Sequence, residues 1–269
     1  MSQIIFKISA GFLVVSLALL ASSLYISERY IQDQQQLAAA GDVEGAMEAS
    51  DSATRFDPFT TEPLQTWASI LQNQGRNPEA ERTLRRAIQR EPNDYILHLS
   101  LGNLQMEMGN FADAEDSFRE VLRLNPETSA ATRSIAQSLV RRGDLEAARI
   151  EYEKLLEDGQ IDTLGLYDLG RILVRTGDAG RGYNTINQAR MRAEAELETL
   201  EEGPIRTQQI DIIESMKLAA ADALVVRRNY TAAYEQVSES DSEQAPALLQ
   251  LIATDPEGYR DSVMDSEIY

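Results

Sequence analysis

A period of 34 residues runs through most of this chain and constrains its fold more than any other feature. Five glycines are each separated by 34 positions: Gly41, Gly75, Gly109, Gly143 and Gly177. Three prolines keep the same spacing: Pro58, Pro92 and Pro126. A small residue follows each glycine by five positions: Ala46, Ala80, Ala114, Ala148 and Gly182. Because three residue classes share one period, the chain is a tandem array of similar units.

The residue types at these positions predict a pair of helices in each unit. The glycine supplies the positive φ that ends the first helix in a tight turn. The Asp or Asn that often follows it is suited to cap the second helix, and the proline after that helix prevents its continuation. A small residue allows the two helices to cross closely. Two amphipathic helices cannot bury a core alone, so the units must stack into an all-α solenoid.

The units resemble the tetratricopeptide repeat, whose pattern is W-x2-L-G-x2-Y, then A-x3-F, then P. The clearest copy, 95–128, matches at Leu101, Gly102, Gly109, Phe111, Ala114, Phe118 and Pro126. The resemblance implies a solenoid over 27–253, with repeats near 27–60, 61–94, 95–128, 129–162, 163–196 and 214–247. The sixth repeat begins 51 residues after the fifth.

The longer spacing before the sixth repeat predicts a hairpin of elongated helices. We expect one helix from about Gly180 to Glu202 and a second from about Arg206 to Arg228, separated by Gly203 and Pro204. A short helix over 246–253 and a loosely ordered acidic tail over 254–269 follow. Residues 198–269 contain 15 acidic and 5 basic residues, so the negative charge is concentrated here.

An uncharged segment of twenty residues, Ile8 to Ser27, precedes the repeats. At about 1.5 Å per residue it would extend roughly 30 Å as a helix, which matches a bilayer core. We therefore predict a transmembrane anchor over 1–26. A cleaved signal peptide with its site at Ala21–Ser23 is the alternative, but the apolar stretch is longer than such peptides usually carry.

The charges that flank this segment favour one orientation. Lys7 and the amino terminus lie before it and Arg29 alone lies directly after it, so the positive-inside rule places the amino terminus in the cytoplasm. The predicted location is the bacterial inner membrane, single-pass, with the solenoid in the periplasm. The opposite orientation stays open.

Composition argues against catalysis and against nucleic-acid binding. The chain has no Cys, one His, and 44 acidic against 25 basic residues. Cysteine nucleophiles and thiolate metal sites are excluded, and a His-dependent triad or zinc site is disfavoured. A net charge of −19 repels phosphate backbones. We therefore predict no enzyme, no catalytic residues, no metal and no cofactor; an enzyme or metal-dependent module is the less favoured alternative.

The resemblance also implies a protein-binding groove lined by the first helix of each repeat. The groove residues it indicates are Asn103, Met106, Arg133, Gln137, Arg141, Tyr167, Arg171 and Arg175. Since arginine offers a bidentate fork to carboxylates, acidic or carboxylate-bearing segments of other proteins are the expected partners. The alternative is that these arginines pair with acidic residues of neighbouring helices.

A membrane-tethered scaffold or assembly factor of the cell envelope is the function that these features favour. In some relatives the groove clamps a chain-terminal carboxylate through two lysines, which Leu99 and Tyr167 replace here. A structural protein that self-associates through its long hairpin is the other interpretation.

Overall fold

The computed structural model describes residues 2–268, with side chains from Leu13 onward. Fourteen α-helices and no strand are found in this range, which confirms the all-α prediction. Their bounds are α1 Ser2–Ala39, α2 Val43–Phe56, α3 Glu62–Asn73, α4 Asn77–Arg90, α5 Tyr95–Glu107, α6 Phe111–Leu124, α7 Ser129–Arg141, α8 Leu145–Glu157, α9 Thr163–Arg175, α10 Ala179–Glu198, α11 Pro204–Val226, α12 Tyr230–Ser238, α13 Ala245–Thr254 and α14 Pro256–Asp265.

The chain forms two compact units, the first ending at Asn125 and the second beginning at Pro126. In the first unit, α1 packs on α2, α3 on α4 and α5 on α6. In the second, α7 packs on α8, α9 on α10, α11 on α12 and α13 on α14. Each unit is thus built from consecutive helical hairpins, and successive hairpins contact each other within a unit, as a solenoid requires.

The turn between α7 and α8 shows how the repeating glycine works. Gly143 has φ 79°, and its amide donates to the carbonyl of Val140 at 2.9 Å. The next amide, of Asp144, donates to the carbonyl of Leu139 at 2.9 Å, which completes a Schellman turn. The Asp144 carboxylate then accepts from the amide of Ala147 at 3.2 Å and caps α8.

Close helix crossing depends on small residues, most clearly between α9 and α10. A Cβ atom placed on Gly182 would lie 2.8 Å from the carbonyl oxygen of Gly170, and one placed on Gly170 would lie 3.1 Å from the carbonyl oxygen of Gly182. These are backbone atoms that cannot rotate away. The two helices therefore touch backbone to backbone, and this contact holds α9 in place.

Helix α1 continues without a break from the apolar segment into the first repeat. Its carboxyl half packs in the first unit, where the Ser27 hydroxyl donates to the carbonyl of Ala53 and the buried Gln34 amide to the carbonyl of Pro63, both at 3.0 Å. The first helix of the first repeat is thus an extension of the predicted anchor helix.

The expectation of a loosely ordered tail is wrong for residues 256–268. Asp255 caps α14 by accepting from the amide of Gly258 at 3.0 Å, and Pro256 occupies the first turn, where proline is favoured. Val263 and Ile268 are each only 4% exposed, so apolar burial stabilises this segment despite its acidic residues. The elongated hairpin also has slightly different bounds, since α10 ends at Glu198 and α11 begins at Pro204.

Candidate functional site

The predicted groove residues all lie on the first helices of hairpins. Asn103, exposed, and Met106, half-buried, belong to α5 in the first unit. The other six belong to the second unit: Arg133, Gln137 and Arg141 on α7, and Tyr167, Arg171 and Arg175 on α9. Within the second unit the α9 residues meet side chains and backbone of α11 and of the segment after α14.

On α7, Arg133 forms an ion pair with Asp162. Asp162 also caps α9, because its carboxylate accepts from the amide of Gly165 at 2.8 Å. Arg133 therefore has the acidic neighbour that the alternative interpretation foresaw, although a half-exposed pair of this kind contributes only about 0–1 kcal/mol to stability. Gln137 is half-buried, and Arg141 is exposed at the end of the helix.

On α9, Tyr167 and Arg171 form one side of a polar cluster. The guanidinium of Arg171 lies 5.3 Å from the centre of the Tyr167 ring, within the range of a cation–π interaction. The Tyr167 hydroxyl donates to the carbonyl of Ser215 on α11 at 3.3 Å. Burial raises the pKa of Tyr167, so its hydroxyl stays a donor. Helix α11 thus covers part of the predicted groove.

Arg175 binds the segment that follows α14. Its Nε donates to the carbonyl oxygen of Ser266 at 3.0 Å and its Nη2 to the Ser266 hydroxyl at 2.7 Å. Burial, together with the neighbouring positive charge of Arg171, lowers the pKa of Arg175. An arginine nevertheless remains protonated, so two charge-assisted hydrogen bonds hold this extended segment.

The same segment closes a cavity of about 230 Å³ against the end of α7. One wall comes from the α7–α8 region and the other from the end of α14 and the residues after it, and the lining residues are Val140, Arg141, Gly143, Leu145, Met264, Asp265, Ser266, Glu267 and Ile268. Arg141 is one of the predicted groove residues. The segment around Ser266 therefore lies against α7 and α9, the helices that carry six of the predicted groove residues.

A carboxylate that sequence analysis did not single out, Asp222 of α11, completes the cluster. The Tyr259 hydroxyl of α14 donates to it. Burial raises the pKa of Asp222, while the Tyr259 hydrogen bond and the charges of Arg175 and Arg171 act in the opposite direction. The available signal was a lone acidic residue in the apolar run of α11, which reads LAAADALVV over 218–226.

The arrangement is suited to binding. Guanidinium groups, an aromatic ring and a cavity with a mixed polar and apolar lining present donors and contact area. Among residues 2–268, no group of three or more His, Asp or Glu side chains is placed to hold a metal ion.

The model of the tetratricopeptide-repeat family matches residues 66–107 and 99–163. Over residues 66–163 the chain consists of tetratricopeptide repeats. The matched residues include the repeats with the most regular glycine and proline spacing, and α7 of the candidate groove lies among them. Tetratricopeptide-repeat proteins generally act as scaffolds for protein interactions.

Solved tetratricopeptide-repeat structures show the same fold. MamA superposes with a TM-score of 0.58 at 17% identity, over 66% of this chain and 98% of MamA. YrrB, described as a TPR protein with an unusual peptide-binding site, has a TM-score of 0.58 at 16% identity, over 76% of this chain and 98% of YrrB. At these identities the similarity establishes the fold alone.

A curated relative is the DnaJ homolog subfamily C member 3 of Rattus norvegicus. It is 26% identical over 124 residues, which are 46% of this chain and 24% of that relative. The chain thus matches about a quarter of that protein's length.

One helix in the described part of the chain is long and apolar enough to cross a membrane, judged by length and composition: the stretch Leu13–Ala39 of α1. Large apolar side chains in its first half face outward; Leu13, for example, is 60% exposed and Leu19 is 67% exposed. No partner within the described chain covers them.

Proposed function

We propose that this protein is a membrane-tethered scaffold or assembly factor of the bacterial cell envelope. Its groove on α7 and α9 would take acidic or carboxylate-bearing segments of partner proteins, and the span over α1 would hold it in the inner membrane with the solenoid in the periplasm. The observation that supports the proposal is the binding of Ser266, from the chain itself, to Arg175 on this surface.

The chemistry of that segment describes the kind of ligand expected. Ser266 supplies a carbonyl and a hydroxyl to Arg175, and it is flanked by Asp265 and Glu267. Ile268 follows and is buried. A partner segment with hydrogen-bond acceptors and a branched apolar side chain matches the contacts of Ser266 and Ile268, and negative charge matches the flanking residues Asp265 and Glu267. YrrB, with its described peptide-binding site, offers a parallel for a peptide ligand on this fold.

A partner protein that binds at Arg175 must displace the segment after α14, and this lowers its apparent affinity. A segment tethered to its own groove acts at an effective concentration that reaches the millimolar range for short linkers. A partner must therefore offer better contacts or reach a high local concentration. Confinement of both proteins to one membrane supplies such a concentration.

The experiment compares capture of partner proteins by two charge-reversed variants of the full-length protein. The groove variant carries Arg133→Glu, Arg171→Glu and Arg175→Glu. Each lost charge-assisted hydrogen bond costs about 1.5–3 kcal/mol, so we expect capture after crosslinking in native membranes to fall more than tenfold. The measurement is quantitative mass spectrometry of the crosslinked partners.

A matched control reverses three arginines on the second helices of the first unit: Arg85, Arg119 and Arg123. Each forms an exposed ion pair within its own helix, so the same change in net charge should leave both the fold and capture unaltered. Circular dichroism must show both variants as helical as the original. If the groove variant captures the same partners at the same yield as the control, the proposed groove is wrong.

A further inference from the structure

The end of the apolar part of α1 contacts the carboxyl end of α2. The Ser23 hydroxyl donates to the carbonyl of Phe56, and one turn further the Ser27 hydroxyl donates to the carbonyl of Ala53. The large apolar side chains of α1 stay exposed as far as Ile26, while Ser27 is 2% exposed. The region around Ser23 to Ser27 is thus where α1 passes from an uncovered apolar helix into a packed repeat.

Aromatic side chains gather at this level. Tyr25 is 66% exposed, and the rings of Tyr30 and Phe56 stack with centres 5.8 Å apart. Phe59, in the turn between α2 and α3, is 81% exposed, the highest value among the large apolar side chains from residue 13 to 268. Since α1 rises about 1.5 Å per residue, Tyr25 lies only about 3 Å along the axis from Ser23, which contacts Phe56.

This placement is the one that aromatic residues take at the edge of a membrane. Phenol rings such as that of Tyr25 favour the headgroup level, and an apolar ring beside them can enter the acyl boundary. The turn itself stays polar: the Asp57 carboxylate accepts from the amide of Phe59 at 3.1 Å. A charged group at that position keeps the turn shallow, so the ring enters the boundary while the backbone stays among the headgroups.

We infer that the α2–α3 turn is a second membrane contact, in which the Phe59 ring inserts into the interface between lipid headgroups and acyl chains. The inference rests on the proposed membrane-spanning role of α1. A lipid surface is the occupant because the turn that carries the uncovered ring directly follows the end of α2, and that end contacts the apolar part of α1 at Ser23. Two contacts, the span and the turn, restrict tilting and rotation of the first repeat relative to the membrane.

The test uses tryptophan fluorescence of the full-length protein in phosphatidylcholine vesicles whose acyl chains are brominated. The chain's own Trp67 is 6% exposed and belongs to the core of the first unit, so it gives a constant background. In Phe59→Trp, we expect the added emission to shift to shorter wavelength and to lose intensity in brominated compared with unbrominated vesicles.

Gln74→Trp is the matched control, because Gln74 is exposed and lies at the far end of α3, which rises about 18 Å over its twelve residues. Its added emission should stay at the wavelength of water-exposed tryptophan and lose no intensity. If Phe59→Trp behaves like this control while the protein floats with the vesicles, the second contact is wrong and the anchor stands. A blue shift without quenching means that a protein, such as a second copy, covers the ring, and also overturns the inference. If the protein does not float, both the anchor and the second contact fall.

Discussion

Substitution of Gly182 by alanine tests the idea that a close backbone contact holds α9, and with it the groove face, in place. The added Cβ would lie 2.8 Å from the carbonyl oxygen of Gly170 and 3.0 Å from the amide nitrogen of Val174, in addition to 2.7 Å from a methyl of that valine. The methyl group can turn away, but the two backbone atoms cannot. The helices α9 and α10 must separate by several tenths of an ångström to admit the new atom.

The expected cost follows from this separation. Van der Waals attraction falls by a quarter to a half when packed surfaces part by about 0.5–1 Å, and overpacking a close contact costs about 1–3 kcal/mol. For a chain of this size, 1 kcal/mol shifts the melting temperature by roughly 2–4 °C. Gly182→Ala should therefore lower the melting temperature by roughly 2–12 °C.

Gly180→Ala is the internal control, two residues away on the same helix. The nearest atom to its added Cβ is a carboxylate oxygen of Asp178 at 3.9 Å, which is an ordinary contact. Removing a glycine without strain stabilises by about 0.4–1 kcal/mol through the unfolded chain. Thermal melts of both variants in detergent, followed by circular dichroism, should show opposite signs. Equal or raised stability of Gly182→Ala would refute the reasoning about the crossing.

Two further predictions concern the internally bound segment and the buried carboxylate. Removing residues 266–269 removes Ser266, a hydrogen-bond partner of Arg175. In a fluorescence anisotropy titration, a labelled peptide of residues 262–268 should then bind the shortened protein and not the intact one. Equal binding to both proteins would show that the chain's own segment does not occupy this surface. Because burial raises the pKa of Asp222 above its ordinary value of 3.8, the folded state holds this proton more tightly. The stability that protonated Asp222 contributes is present below pH 3.8 and is lost as pH rises through the folded-state pKa. In urea titrations above pH 4, the free energy of unfolding should therefore fall less with pH in Asp222→Asn than in the original protein. An equal fall in both proteins would contradict the prediction.

Two of the predicted groove arginines have partners within the chain. The sequence predicts that the arginines of repeats four and five bind partner proteins, with pairing to acidic neighbours as the alternative. Arg133 does pair with Asp162, whereas Arg175 binds the backbone and hydroxyl of Ser266. A partner segment and the segment after α14 would therefore compete for one surface. Whether partners bind there stays a prediction.

The periodic residues predicted the helical hairpins and their order along the chain. These features depend on single positions. Gly143 must adopt a positive φ at its turn, and Gly182 must lack a side chain at the helix crossing, so the residue type itself indicates the local structure. The continuation of α1 into the first repeat was not predicted, because the sequence was divided into an anchor over 1–26 and a repeat that begins at residue 27.

The tertiary structure decided what lies against the groove. Residues 256–268 are acidic and carry little apolar periodicity, so composition predicted a loose tail, yet Val263 and Ile268 are buried and Ser266 meets Arg175 across 91 positions of sequence. A contact of that separation depends on the packing of α14 against α9 within the second unit, and no local pattern encodes it. Asp222 is the same case: its burial and its bond to Tyr259 exist only because α11 and α14 pack together.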